Sequence, residues 1–341
     1  MEDTERYSRQ ILFSPIGTKG QDLLRRSRVA LVGCGALGAA HAETLVRAGI
    51  GHLRIIDRDF VEFSNLQRQT LFTEKDASER LPKSVAAARR LEQVNSSVEI
   101  EPIVADITNT NVESMVGDAD IVLDGSDNFQ VRYLVNDACV KNGVPWVYGA
   151  AVSSYGSSMT IIPHETPCLR CIFDEMPEPG SSPTCDTAGV LMPVILTVSS
   201  IQTIEAIKFL IGDRAAMHGS LVQIDVWKND MRKIALGSPN ADCPACGAGE
   251  FAFLEAENTT FDAVLCGRDA VQISPLKTAQ LDLKKLAAAL GQSGGVKQNE
   301  YLLRFLIDGF EMTVFNDGRA IIRGTDDVSA ARSLYARYIG T

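Results

Sequence analysis

The sequence predicts an α/β fold, a doubly wound parallel sheet followed by a small α+β domain. Three observations carry that expectation. Apolar strand runs alternate with helical stretches through the first half, a glycine-spaced turn follows the first run, and a fresh pattern of short strands begins near residue 258. With 341 residues, 45% apolar and 22% charged, the chain can bury one large core and a smaller one.

The strand runs are "VALVG" (29–33), "LRIID" (53–57), "VEIEPIVA" (98–105), "ADIVLDGSD" (119–127) and "PWVYGAA" (145–151), interleaved with helices at His41 to Gly49 and Ser84 to Val94. Two later runs, "SSMTIIP" and "SLVQIDVW", bracket a long apolar helix and should extend the same sheet. Between them, "DEMPEPGSSPTCD" (174–186) is dense in Pro, Gly and Ser and reads as a mobile loop. The stretch from Thr187 to Ile204 is charge-free for eighteen residues, the lower limit for a membrane span. Pro193, Ser199, Ser200 and Gln202, with Glu205 and Lys208 just beyond, make it a buried helix instead, so no membrane is expected.

After a cysteine pair near 245 comes the acidic "GAGEFAFLEAEN" and then the second pattern: strand 261–273, helix 281–290, strands 300–307, 310–316 and 319–323, helix 326–338. The expected domains are therefore 1–250 and 258–341. The opening "MEDTERYSRQ" is charged and runs into no apolar signal core, which points to the cytoplasm. A net charge of −10 without a Lys/Arg run argues against nucleic acid as a partner.

The turn "VALVGCGALG" sets Gly33, Gly35 and Gly38 at the spacing of a nucleotide-binding loop, and Asp57 follows about twenty residues on, where it can take a ribose hydroxyl. Those residues alone also suit an NAD-dependent oxidoreductase. The next segment, "RDFVEFSNLQRQTLF", adds Asp59, Asn65, Arg68 and Gln69, and Lys83 opens the following helix. An Arg fork and a Lys point charge suit the extra charge of a triphosphate. Asp127 ends the next strand run, where open α/β sheets place ligands, and a carboxylate beside polyphosphate suits Mg²⁺. Each has a second reading: Arg68 and Lys83 as solvated surface charges, Asp127 as a helix cap.

Taken in order, "RYSRQ", "GCGALG", "DRDFVEFSNLQRQ", the lysine of "LPKS", "DGSDNFQVR", "PCLRC", "TCDTAGVLMP" and "CPAC" resemble the ThiF/MoeB/HesA superfamily, which includes the ubiquitin-activating enzymes, across roughly residues 3 to 248. The resemblance implies a Rossmann-like sheet of the ubiquitin-activating-enzyme type. It implies ATP-dependent adenylylation of the C-terminal Gly-Gly carboxylate of a small ubiquitin-like (β-grasp) sulfur carrier protein. It gives Asp57 to the ribose, Asn65, Arg68 and Lys83 to the phosphates, Asp127 to magnesium, and Arg9 to the neighbouring subunit's nucleotide in a homodimer. On the residues alone, Arg9 is a surface charge of an N-terminal helix. A Gly-Gly carboxylate is already ionised, so no general base is needed. His41, His52, His164 and His218 accordingly fall outside every motif and read as packing or surface residues.

Two C-x-x-C pairs, Cys168/Cys171 and Cys243/Cys246, in a cytosolic-type chain favour a closed structural Zn²⁺ site over disulfides or a redox dithiol. Cys34, Cys139 and Cys266 lie in apolar stretches and read as small core residues. Cys185, at the end of the Pro/Gly loop and just before the long helix, is placed for a lowered pKa and a nucleophilic role, or is an inert loop thiol. In the resembled family a cysteine at this place reacts with the activated carrier or takes part in sulfur transfer.

The C-terminal "VLCGRDAVQISP" is similar to an extension of thiazole-type ThiF proteins, which implies a thiocarboxylate for thiamin biosynthesis; a molybdopterin-synthase-type carrier is the alternative. A separate sulfur donor, such as a cysteine desulfurase or a rhodanese, is then expected. Rival functions are the oxidoreductase already named, a non-catalytic scaffold subunit, and activation of a tRNA base, which the lack of a basic surface disfavours.

Overall fold

The computed structural model describes residues 5–177, 184–255, 263–265, 269–275, 281–291 and 294–340. The chain forms two compact units, Met1–Glu255 and Ala256–Thr341.

In the first unit the glycine turn lies between β1 (Arg28–Val32) and α1 (Ala36–Ala48), which ends at Gly49 in the left-handed conformation. Next come β2 (His52–Ile56), α2 (Lys83–Val94), β3 (Glu99–Ile103), β4 (Ile121–Asp124), α3 (Phe129–Asn142), β5 (Trp146–Val152), β6 (Tyr155–Ile161), α4 (Met192–Leu210), β7 (Ser220–Asp225) and β8 (Asp230–Ala235). The eight strands form one sheet in the order β3-β2-β1-β4-β5-β6-β7-β8. From β3 to β5 the pairing is parallel, and from β5 to β8 antiparallel. The late strand runs thus extend the sheet as expected but reverse its sense. β5 and β6 are joined by a two-residue link at Ser153 and Ser154, too short for the crossover that a parallel pair requires.

The long helix begins at Met192 rather than Thr187. Gly189 has φ of 71°, Val190 bridges to Ser153, and Pro193 occupies the first turn. It is long and apolar enough to cross a membrane, yet half of that window is buried inside the protein, against α1, β5 and β6. The loop 174–186 falls partly outside the described residues.

The second unit is a six-stranded antiparallel sheet in the order β11-β12-β13-β14-β10-β9. The single strand expected over 261–273 is two, β9 (Ala263–Leu265) and β10 (Ala270–Ile273), which pair with each other. Helix α5 (Leu283–Leu290) starts at an Asp282 cap, and a strand absent from the sequence reading, β11 (Gly295–Gln298), precedes β12 (Leu302–Ile307). β13 (Phe310–Phe315), β14 (Ala320–Arg323) and α6 (Val328–Tyr338) complete the unit. Leu303, Phe305, Met312, Val314 and Ile322 pack under α5 and α6 as its core. Cys266 lies outside the described residues.

Candidate active site and metal centre

β1, β2 and β4 end together, Val32 lying opposite both Ile56 and Asp124. Chain order turns back between β1 and β4, the place where such sheets bind ligands. Three glycines there are demanded by the protein itself. A Cβ on Gly33 (φ 86°) would lie 2.7 Å from the Gly125 carbonyl, and one on Gly38 2.0 Å from the Gly33 carbonyl. Gly125 was not singled out from sequence; its own Cβ would meet the Gly33 oxygen at 2.5 Å, so the loop after β4 lies directly on the glycine turn. At Gly35 the nearest atoms are 3.9 Å away, which leaves the backbone open to a ligand.

Asp57 follows β2 and is buried; its carboxylate accepts from the backbone N–H of Cys34 (2.6 Å) and of Asp59 (2.7 Å). Burial pushes its pKa above the ordinary carboxylate value, against the pull of Lys83. Lys83 is only 5% exposed at the start of α2, and its Nζ donates to Asp59 Oδ2 at 2.9 Å. Burial alone would lower the ammonium's pKa; Asp59, Asp57 and Asp127 overcome that and hold it above the usual lysine value. Lys83 is therefore a buried, charged group, which excludes the surface-charge reading.

Asp127 is exposed in the loop after β4, and its charge acts on Lys83, Arg58 and Arg132 alike. The next helix is capped by Asn128, whose Oδ1 accepts from Gln130 N at 2.8 Å, so Asp127 is not that cap. Asn65 and Gln69 are both buried, and the Asn65 Nδ2 and Gln69 Oε1 atoms have no hydrogen-bond partner in the protein. Gln69 Nε2 lies 4.0 Å from where a Gly35 Cβ would be. Arg68 is half-buried, with Nη1 donating to the Ser64 carbonyl at 2.8 Å. Arg9 lies exposed on the short helix Ser8–Ile11.

The sequence reading missed three charged residues here. Arg58 is held by Asp106 (3.0 Å). Arg132 is buried, with Nε on Asp124 Oδ2 (2.9 Å) and Nη2 on the carbonyls of Ser126 (2.8 Å) and Gly149 (3.0 Å). Asp124 also accepts from the backbone N–H and hydroxyl of Ser126. This pair pins the loop that carries Asp127. Asp124 and Arg132 both stand inside "DGSDNFQVR", but nothing in the string separates them from its other polar residues.

At the far side of α3, Cys168, Cys171, Cys243 and Cys246 bring their sulfurs within 4.8 Å of one another, with Sγ···Sγ distances of 3.6 Å (Cys168–Cys243), 3.9 Å (Cys168–Cys171) and 3.3 Å (Cys171–Cys246). Four thiolates around one tetrahedral ion at about 2.3 Å would stand about 3.8 Å apart. The group fits a metal ion. Cys34 and Cys139 are fully buried, and burial drives both thiols up, consistent with inert core residues.

Cys185 departs from expectation. It opens a four-residue helix, Cys185–Ala188, whose cap is Thr184, and Gly189 to Leu191 separate it from α4. Cys185 thus stands at the start of its own short helix and not at the start of α4. Its Sγ is half-buried and donates to the Ala151 carbonyl at 3.4 Å.

A model of the ThiF family matches residues 7–245. The chain belongs to the ThiF family. Among curated ThiF-like relatives, the sulfur carrier protein ThiS adenylyltransferase of Bacillus subtilis is 47% identical over 339 residues, covering 99% of this chain and all of that one. The SAMP-activating enzyme E1 of Haloferax volcanii is 41% identical over 245 residues, 72% of this chain and 89% of that protein. A crystal structure of Escherichia coli MccB with ATP superposes with a TM-score of 0.62 at 25% identity, over 71% of this chain and 74% of that chain. The first of these relatives spans the second unit as well as the family domain.

Proposed function

We propose that this ThiF-family chain is an adenylyltransferase acting on the C-terminal Gly-Gly carboxylate of a small ubiquitin-like sulfur carrier protein, on the way to the carrier thiocarboxylate used in thiamin (thiazole) biosynthesis. The observation that carries the reading is one sheet edge where a glycine turn open at Gly35, the ribose-capable Asp57 and the buried cation Lys83 meet, in a chain that aligns end to end with a ThiS adenylyltransferase.

The carrier carboxylate attacks the α-phosphorus of ATP and pyrophosphate leaves, giving the acyl-adenylate. Asp57 orients the ribose. Lys83, Arg68 and the Asn65 amide meet the phosphate oxygens, where charge must be neutralised. Gln69 lines the turn beside Gly35. Asp127, an exposed carboxylate facing the same cations, fits a magnesium ligand, and Mg²⁺ bound there would neutralise phosphate charge. Arg9 of one subunit reaches the nucleotide of the other in a homodimer. Zn²⁺ is held by Cys168, Cys171, Cys243 and Cys246 as a closed structural site. After adenylation, the Cys185 thiolate attacks the acyl carbon and AMP leaves, giving a carrier thioester. The persulfide of a separate cysteine desulfurase or rhodanese then displaces Cys185 to form an acyl disulfide. The Cys185 thiolate cleaves that disulfide, releasing the thiocarboxylate and leaving a disulfide between Cys185 and the donor. The protein works in the cytoplasm.

The test is ATP–pyrophosphate exchange with a ThiS-type carrier compared with a molybdopterin-synthase-type carrier. Exchange stimulated by the ThiS-type carrier is expected. Stimulation by the other carrier alone moves the pathway assignment, and no carrier-dependent exchange with either overturns the function.

A further inference from the structure

Beyond Leu123↔Val147, β4 and β5 part, and the chain after β4 turns over the glycine loop. Gln202, fully buried in the middle of α4, spans that fork. Its Nε2 donates to the Asp124 carbonyl (3.0 Å) and the Val147 carbonyl (3.1 Å), one on each strand. Both partners can only accept, so the amide orientation is fixed, and its Oε1 must face the third neighbour, His41 Nε2, at 3.0 Å. His41 lies on α1, is fully buried, and burial pushes its pKa down to about 3. It is a neutral imidazole donating from Nε2. Room for the amide exists because residue 149 is glycine, whose Cβ would lie 2.1 Å from Gln202 Oε1.

The four hydrogen-bonding groups join the helix after the glycine turn, the end of β4 and β5 across one buried amide. On the other side of the same fork, Arg132 ties Asp124, Ser126 and Gly149 together. The loop 125–128 is thus set from both faces of the sheet. We propose that Gln202 is a positioning residue for the nucleotide site: by holding the β4–β5 fork it fixes the loop that carries Asp127 over the glycine turn, without touching a ligand. This rests on the reading of Asp127 as the magnesium ligand.

The test separates metal-dependent from metal-free nucleotide binding, with no turnover involved. Gln202→Leu keeps the bulk and removes the donors. Binding of Mn²⁺ with a non-hydrolysable ATP analogue, followed by electron paramagnetic resonance, should weaken about tenfold, the usual cost of losing an outer partner of a metal site. Binding of the analogue in EDTA should stay at the wild-type value, because Lys83 and the glycine turn are untouched. Gly149→Ala, which drives a methyl into the Gln202 amide, should reproduce the loss, and the double variant Gly149→Ala/Gln202→Ala should be no worse than Gln202→Ala alone. If Gln202→Leu fails to fold, Gly149→Ala decides. Unchanged Mn²⁺-dependent binding, or equal loss with and without metal, overturns the proposal. Asp127→Asn is the control: wild-type Mn²⁺ binding in that variant overturns the magnesium assignment itself, whatever Gln202 does.

Discussion

Replacing Lys83 with methionine keeps the apolar stem of a residue only 5% exposed and deletes its charge, removing the cation 2.9 Å from Asp59, which keeps Arg58 at 3.8 Å, and the cation that restrains Asp57. Removing one member of a buried pair costs about 3–5 kcal/mol, but the Asp59 side chain is 26% exposed and can rehydrate, which brings the expected loss nearer to about 2 kcal/mol. At about 2–4 °C per kcal/mol for a domain of this size, the unfolding midpoint should fall by about 4–8 °C. The loss should also depend on pH. Burial already holds the Asp57 carboxyl above its ordinary value while Lys83 pulls it down, so losing Lys83 raises it further. A carboxyl raised on folding contributes stability that is fully present below its unfolded pKa and is lost as pH rises through its folded pKa. The deficit of Lys83→Met should therefore be larger at pH 8 than at pH 5, read from urea unfolding of variant and wild type at both. Exchange activity should fall by about 10²–10³ through loss of a phosphate donor. Equal deficits at the two pH values would refute the claim that Lys83 restrains Asp57.

Metal analysis should return one zinc per chain, and Cys246→Ser should lower both that content and the unfolding midpoint; iron with visible absorbance, or no metal, would count against the site. Mixing an Arg9→Ala chain with an Asp127→Ala chain should restore part of the exchange activity that each lacks alone, and no recovery would argue against a shared site. Cys185→Ser should keep carrier-dependent exchange near normal while lowering thiocarboxylate yield, measured by mass spectrometry of the carrier. Lost exchange would make Cys185 a positioning or structural residue, and an unchanged yield would make it inert.

The alternating strand runs were legible because buried parallel strands are nearly continuous apolar segments, and the two C-x-x-C pairs because their spacing is local. β8 and β11 were not. "DMRKIA" and "GVKQ" are exposed edge segments whose polar side chains protect an open ladder, so they carry no apolar signature. Asp57 and Lys83 stood out by position alone, since a strand end and a helix start are visible in sequence. Arg58, Arg132 and Gln202 did not, because they bridge segments from 17 to 161 residues apart, as the Arg58–Asp106, Arg132–Gly149 and Gln202–His41 bonds do. Asp124 did not, because its bond to Arg132 eight residues on looks no different in the string from any other polar pair. The same limit applies to Cys185: the Pro/Gly loop was evident, but the turn at Gly189 that cuts it off from α4 depends on Ser153 bonding both sides of it.

Helix α3 explains why the nucleotide edge and the cysteine cluster sit in one unit. Its first turn is capped by Asn128 beside Asp127, and Arg132 locks the loop before it. One residue further, the Tyr133 hydroxyl donates toward the Phe173 and Glu175 carbonyls, each 2.8 Å away, at the root of the segment leading to Cys185. In the next turn Asn136 Oδ1 accepts from Leu169 N (2.9 Å), the residue after Cys168, and Asp137 Oδ2 accepts from Phe253 N (3.2 Å), beyond Cys246. The two chain segments that supply the thiols are thus each bonded to the same helix by neutral or singly charged groups, independently of any metal. A structural ion there adds a third tie between segments 75 residues apart, already registered against α3. That division of labour fits a closed site: the helix sets where the segments lie, and the ion holds them to each other.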